Sequence, residues 1–140
     1  MTQLKITRLK EWANRRFTYK IIVDGQEQFE IENGQERFIS VDHPVTIQAK
    51  IMWGGSKKIS VDVANQEIKE IKISANKQTN IRFPLSAFSI VMICSLVHLI
   101  YPNNVAKDFM TGLLIGVIAL LLALLTIWRD KFLDIELVTD

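Results

Sequence analysis

One cysteine, two histidines, three prolines and six glycines occur in 140 residues, and each scarcity excludes something. A lone Cys94, set in an apolar run, leaves no intramolecular disulfide and implies no oxidising compartment. His43 and His98 are far apart in the chain, and no Cys/His ligand spacing accompanies them. No glycine-rich loop precedes a helix to cradle phosphate, and no serine sits in an elbow motif. The expectation is a chain that is not an enzyme, with no catalytic residues, no metal and no cofactor. The opening "MTQLKITRLK" has basic residues but no apolar stretch after them, so no signal peptide is expected. Charge is missing too, but only in places. Residues 1–82 carry fourteen Lys/Arg and ten Asp/Glu, whereas nothing charged lies between Arg82 and Lys107, or between Asp108 and Arg129. The 49% hydrophobic content is therefore an average over two unlike parts.

The uncharged parts are long. A bilayer core about 30 Å thick needs roughly 20 apolar residues. "LSAFSIVMICSLVHLIY" (85–101) and "FMTGLLIGVIALLLALLTIW" (109–128) meet that need, with Pro84 before the first and Pro102-Asn103-Asn104 after it. The sequence predicts a two-helix transmembrane hairpin over 85–128, because eighty residues of strands cannot cover two helices apolar on every side. Basic residues cluster on one side of it: Lys69, Lys72, Lys77 and Arg82 before the first span, Arg129 and Lys131 after the second. The loop 102–108 offers only Lys107, so both termini are expected in the cytoplasm as parts of an integral membrane protein. Tyr101 and Trp128, with Arg129 and Lys131, are the expected interface anchors.

Ahead of the spans the pattern changes to period two, the mark of half-buried strands. "FTYKIIV" aligns Phe17, Tyr19, Ile21 and Val23; "VTIQAKIMW" aligns Val45, Ile47, Ala49, Ile51 and Trp53. Ile59, Val61 and Val63, then Ile71 and Ile73, continue the series. Asp24-Gly25, Asn33-Gly34 and Gly54-Gly55 signal turns, and His43-Pro44 breaks a strand. These features predict about seven strands in a small antiparallel sandwich or barrel over 1–76, a linker at 77–84, and a cytoplasmic tail at 129–140. The first turn has two candidate registers. A two-residue loop at Asp24-Gly25 pairs Tyr19 with Glu30, setting apolar against polar. A three-residue loop over Val23-Asp24-Gly25 pairs Tyr19 with Phe29 and Phe17 with Ile31, and is expected to win with Gly25 left-handed.

The stretch from Phe17 to Ser74, with Val23-Asp24-Gly25 at its first hairpin, resembles small bacterial PEGA-like β-sandwich modules fused to membrane spans. Those modules pair an "hxVDG" hairpin with a later strand. This chain lacks the Pro-Glu-Gly-Ala signature and carries His43-Pro44 where Pro-Gly is usual. The resemblance implies a non-catalytic interaction or spacer domain.

A few residues stand out against this background. His98 is ionisable within an apolar run, and so is either a proton or ligand site or a residue reaching interfacial water from the helix end. Cys94 reads as a small packing residue. Gly112, Gly116, Ala119 and Ala123 form a small-residue stripe that packs either within the helix pair or between protomers of a homo-oligomer. Arg15-Arg16 and Lys57-Lys58 read as solvated, with weak contact to anionic lipid as the second reading; nucleic acid is not an expected partner. Together these features favour a membrane-anchored interaction module (adaptor, sensor or accessory subunit) whose partners are the lipid bilayer and another protein. The alternative is an oligomeric two-span effector or pore component gated by the β-domain.

Overall fold

A computed structural model describes residues 2–62, 68–100 and 105–138, with no account of the side chains of 105–107 and 124. The chain forms two compact units. One comprises the residues up to Asn76 together with those from Arg129 onward; the other is Lys77–Trp128.

Among the described residues nine strands build the first unit: β1 (Thr2–Arg8), β2 (Tyr19–Val23), β3 (Gln26–Ile31), β4 (Glu36–Val41), β5 (Val45–Ile51), β6 (Gly54–Gly55), β7 (Ile59–Val61), β8 (Lys69–Ala75) and β9 (Leu133–Val138). One sheet runs β4-β1-β8-β9. The other runs β3-β2-β5-β6, with β7 also on β5. Alternation puts Leu4, Ile6, Ile71 and Ile73 of the first sheet and Tyr19, Ile21, Ile31 and Ile47 of the second into one core, all fully buried. In the fourth strand Val41 is buried and Ile39 half-buried, while Phe38 points outward.

This architecture corrects the expected fold in three ways. Nine strands in two sheets replace about seven, and β1 lies parallel to β8 rather than antiparallel. The ninth strand comes from the segment expected to be a tail: Leu133 to Val138 pairs with β8, Ala75 facing Leu133 and Ile71 facing Leu137. The sandwich is thus closed by residues that follow the helices. The third correction concerns the expected transmembrane hairpin. Among the described residues one helix, Gln78–Ile100, is long and apolar enough to cross a membrane. The next apolar helical stretch among them, Asp108–Ala123, does not meet that length. A clear two-span hairpin is not what the chain forms.

The first turn corrects the expected register: Tyr19 does not face Phe29, nor Phe17 Ile31, although Gly25 is left-handed as expected. Asp24 (φ 49°) and Gly25 (φ 83°) make a tight two-residue turn with both central residues left-handed. On its own that turn sets apolar against polar. A β-bulge between Ile21 and Ile22 leaves Gln28 without a partner and shifts the register, so Tyr19 faces Ile31 and Ile21 faces Phe29. The need to match apolar faces dictates the pairing, and the bulge, not a three-residue loop, satisfies it. Val63 lies outside the described residues, as do Tyr101 and Pro102-Asn103-Asn104.

The second unit opens with a π-helical turn (Gln78–Arg82) that runs into α1 (Phe83–Ile100), which packs against α2 (Val105–Thr126). The side chains of α1 are arranged in reverse. The buried residues of α1 are the small Ala87 and Cys94, two turns apart, while Leu85, Phe88, Met92, Ile93, Leu96 and Leu99 point outward.

Candidate functional site

The strand directions give the β-unit two chemically different ends. At one end lie the loop 9–18, the turn 32–35, the turn at Met52-Trp53, and the points where the chain leaves at Asn76 and returns at Arg129. At the other lie the turns at Asp24-Gly25 and Asp42-His43, and Asp62.

The departure end is organised by Arg8. Inward alternation along β1 (Thr2, Leu4, Ile6) leaves the same parity to Arg8, whose side chain is fully buried. A buried guanidinium needs partners for its donors. Nη1 donates to the carbonyls of Phe17 (2.6 Å) and Ile31 (3.2 Å), and Nη2 to the carbonyl of Asn14 (2.8 Å) and to Glu11 Oε1 (3.3 Å). The plane of charge also lies 3.6 Å over the centre of the Tyr19 ring, a cation–π contact. Tyr19 donates its hydroxyl to Glu11 and accepts from Asn14 Nδ2 at 3.1 Å. Burial, foremost, and the Glu11 hydrogen bond raise the Tyr19 pKa well above its ordinary value, so the phenol stays protonated. Glu11 Oε2 accepts from the backbone N–H of Ala75 at 2.5 Å, the last residue of β8 before the chain departs. Asn33 brackets Glu11, its Oδ1 accepting from the Glu11 N–H and its Nδ2 donating to the Glu11 carbonyl, each at 3.0 Å. One cluster thus ties the loop 9–18 to β2, to the turn 32–35 and to the departing strand.

The return is fastened as tightly. Phe132 N–H donates to the Gly55 carbonyl at 3.1 Å, and its carbonyl accepts from Asn76 N–H at 3.0 Å. A Cβ on Gly54 would come within 2.5 Å of the Phe132 ring and 2.7 Å of the Arg129 carbonyl, so only glycine allows this approach.

What this rigid end presents outward is unusual. Trp12 is 79% exposed and Met52 83%, with Leu9 beside them in the class of exposed apolar side chains. Phe17 and Trp53 meet edge to face at 4.8 Å, joining the loop 9–18 to the turn carrying Met52. Lys10, Arg15 and Arg16 are exposed, and none has an ion-pair partner among the described residues.

The far end holds the one histidine of the β-unit. His43 Nδ1 lies 2.6 Å from Asp42 Oδ1 and Nε2 lies 3.3 Å from Asp24 Oδ2. The hydrogen bond to Asp42, then that to Asp24, raises the His43 pKa; the same His43 contact lowers that of Asp42. Asp24 is held in turn by the Thr46 N–H at 2.7 Å.

Residues singled out from the sequence fall elsewhere. Cys94 is buried in the helical unit and His98 is exposed near the end of α1. On α2 the half-buried positions are Met110, Leu114, Val117 and Leu121, whereas Gly112, Gly116 and Ala119 are exposed and Ala123 half-buried. A side chain added at Gly112 or Gly116 would meet nothing within 4 Å, so these two point away from α1. Trp128 follows α2, and Arg129 and Lys131 sit in a short 3-10 turn leading into β9. Among the described residues no cluster of three or more His, Cys, Asp and Glu is placed to hold a metal. Arg8, Glu11 and Trp12 did not stand out in the sequence, although the parity of "TQLKITR" carries the signal for the first.

No protein-family model matches the chain, and no curated protein and no solved structure matches it. The resemblance of residues 17–74 to PEGA-like modules rests on those residues alone.

Proposed function

We propose that the chain is a membrane-anchored, non-catalytic interaction module, its β-unit held at the cytoplasmic face by a helical unit that inserts from that side. The observation that carries this reading is the reversed packing of α1. Large apolar side chains on α1 face outward and small ones inward, which in water forfeits most of the stabilisation that burial gives. In hydrocarbon the arrangement costs nothing, and small inner residues let helices approach closely. The polar groups agree. Ser86, Ser89, Ser95 and Thr126 donate their hydroxyls back to the carbonyls of Phe83, Leu85, Val91 and Leu122 at 2.8–2.9 Å. Such back-bonding leaves no hydroxyl in need of water, as lipid demands.

Sidedness is supported by the sheet. Strand β1 near the N-terminus and strand β9 near the C-terminus both flank β8, so both ends of the chain belong to one unit on one side. Lys77, Arg82, Arg129 and Lys131 border the helical unit, and such an excess of basic residues favours the cytoplasmic side. The resemblance to PEGA-like modules supports an adaptor, sensor or accessory role with a protein partner.

The test is spin-label accessibility on the full chain in bilayers, with Cys94→Ser as background. Labels placed by Phe88→Cys, Met92→Cys and Leu96→Cys should collide readily with dissolved oxygen and hardly at all with a water-soluble nickel chelate. High nickel accessibility at all three would sink the reading.

A further inference from the structure

The departure end of the β-unit is built to expose an indole. Loop 9–18 is not slack: Arg8 holds the carbonyls of Asn14 and Phe17, and Glu11 is fixed by Arg8, Tyr19, Asn33 and the Ala75 N–H. From this fixed loop Trp12 projects with 79% of its surface free, and Met52 projects from the adjoining turn with 83% free. Its charge is sorted as well. Glu11, the one acid of the loop, is turned inward with its side chain 12% exposed, while Lys10, Arg15 and Arg16 stay outside. Glu32 lines the same shallow depression as Arg15 and Arg16 and forms an ion pair with neither. The outward surface at this end is therefore cationic and also exposes an aromatic and a thioether, and the opposite end of the unit carries Asp24, Asp42 and Asp62.

We propose that this end docks on an anionic bilayer surface, with Trp12 and Met52 in the headgroup layer and Lys10, Arg15 and Arg16 against acidic lipid headgroups. The proposal rests on the membrane reading above and deepens it. Indoles favour that layer because one edge is apolar while the N–H still finds a hydrogen-bond partner. Basic side chains within a Debye length of an anionic leaflet are drawn to it. The covalent connection favours the same end: the chain leaves at Asn76, next to the Ala75 amide that Glu11 holds, and returns at Arg129, whose carbonyl lies against Gly54. A surface that begins at the point of departure meets the bilayer at high effective concentration.

The experiment uses the full chain with Trp53→Phe and Trp128→Phe, so that Trp12 alone fluoresces. It is reconstituted into phosphatidylcholine vesicles with or without phosphatidylserine, some carrying lipids brominated near the headgroup. With phosphatidylserine, Trp12 emission should move to shorter wavelength and lose intensity to bromine. Raising the salt, or adding Lys10→Gln, Arg15→Gln and Arg16→Gln together, should restore a water-like spectrum. If the protein floats with the vesicles while Trp12 stays water-like in all of them, the proposal is overturned and the anchoring reading survives. Equal quenching without phosphatidylserine, unmoved by salt, overturns it as well. Shielding from acrylamide without bromine quenching would assign the surface to a second copy of the chain. A protein that fails to float overturns both readings.

Discussion

In the β-unit Leu4, Ile21, Ile47 and Ile73 are sealed from solvent; in the helical unit Phe88, Met92, Leu96 and Ile118 are not. Similar side chains in one chain obey opposite rules, and on the membrane reading proposed above the difference lies in the solvent each unit is built for. Where water surrounds the fold, apolar area goes inside at about 25 cal/mol per Å². Where hydrocarbon surrounds it, that force vanishes and close approach of small residues takes over.

The contrast can be broken by removing what holds the water-built unit together. Arg8→Ala should have the largest effect, about 3–5 kcal/mol of lost stability, because it strands Glu11 among partners chosen for an ion pair. Chemical denaturation in mild detergent reads it, provided the helical signal stays unchanged. Next comes a matched pair of truncations. Ile47→Ala, at a fully buried position, should cost about 2–4 kcal/mol, whereas Leu96→Ala on the outer side of α1 should cost under about 0.5 kcal/mol in the same assay. Equal costs would mean that the two units share one kind of interior.

Gly54→Ala sharpens the comparison where the chain returns. The added methyl meets both the Phe132 ring and the Arg129 carbonyl, and backbone cannot yield as a flexible side chain does. A loss of about 1–3 kcal/mol is expected, with β9 detaching first and its amides exchanging faster.

The smallest effect is one of pH at the far end. His43 has its pKa raised above the ordinary 6.5, so its contribution is complete below about pH 6.5 and lost as pH climbs through the raised value. Asp42 has its pKa lowered below 3.8, so its contribution is present above about pH 3.8 and lost as pH falls through the lowered value. Between those limits the turns at Asp24-Gly25 and Asp42-His43 are held together best. Thermal unfolding should show a slight fall in Tm from about pH 6 to about pH 8 that His43→Gln abolishes. Both groups are exposed, so a large effect would contradict the assigned contacts.

Much of this was legible in the sequence, for reasons that differ by element. Period-two alternation marks β2, β5 and β8 because each has one face on the core, and Gly25 is left-handed as its turn requires. The bulge at Ile21/Ile22 was hidden, since a single unpaired residue such as Gln28 leaves no mark in composition. Strand β9 has the signal, with Leu133, Ile135 and Leu137 alternating with acids, but its partner β8 ends at Ala75, far back in the chain. Apolar length alone overstated the helices as a hairpin of two full spans. Among the site residues, Arg15 and Arg16 were visible as charge. The buried Arg8 beneath them was visible only as parity, and Trp12 needed the fold to reveal its exposure.

The pairing of β8 with β9 also supplies the most direct measurement. Ala75 faces Leu133 across that pair, so residues 77–128 can be replaced by a short glycine-serine turn without stretching the sheet. Full-length and excised chains are expressed side by side, and membranes are washed with alkaline carbonate. The full chain should remain in the membrane pellet, while the excised chain should be a soluble, cooperatively unfolding β-protein. A full chain released by the wash would contradict the account, and so would an excised chain that stays embedded.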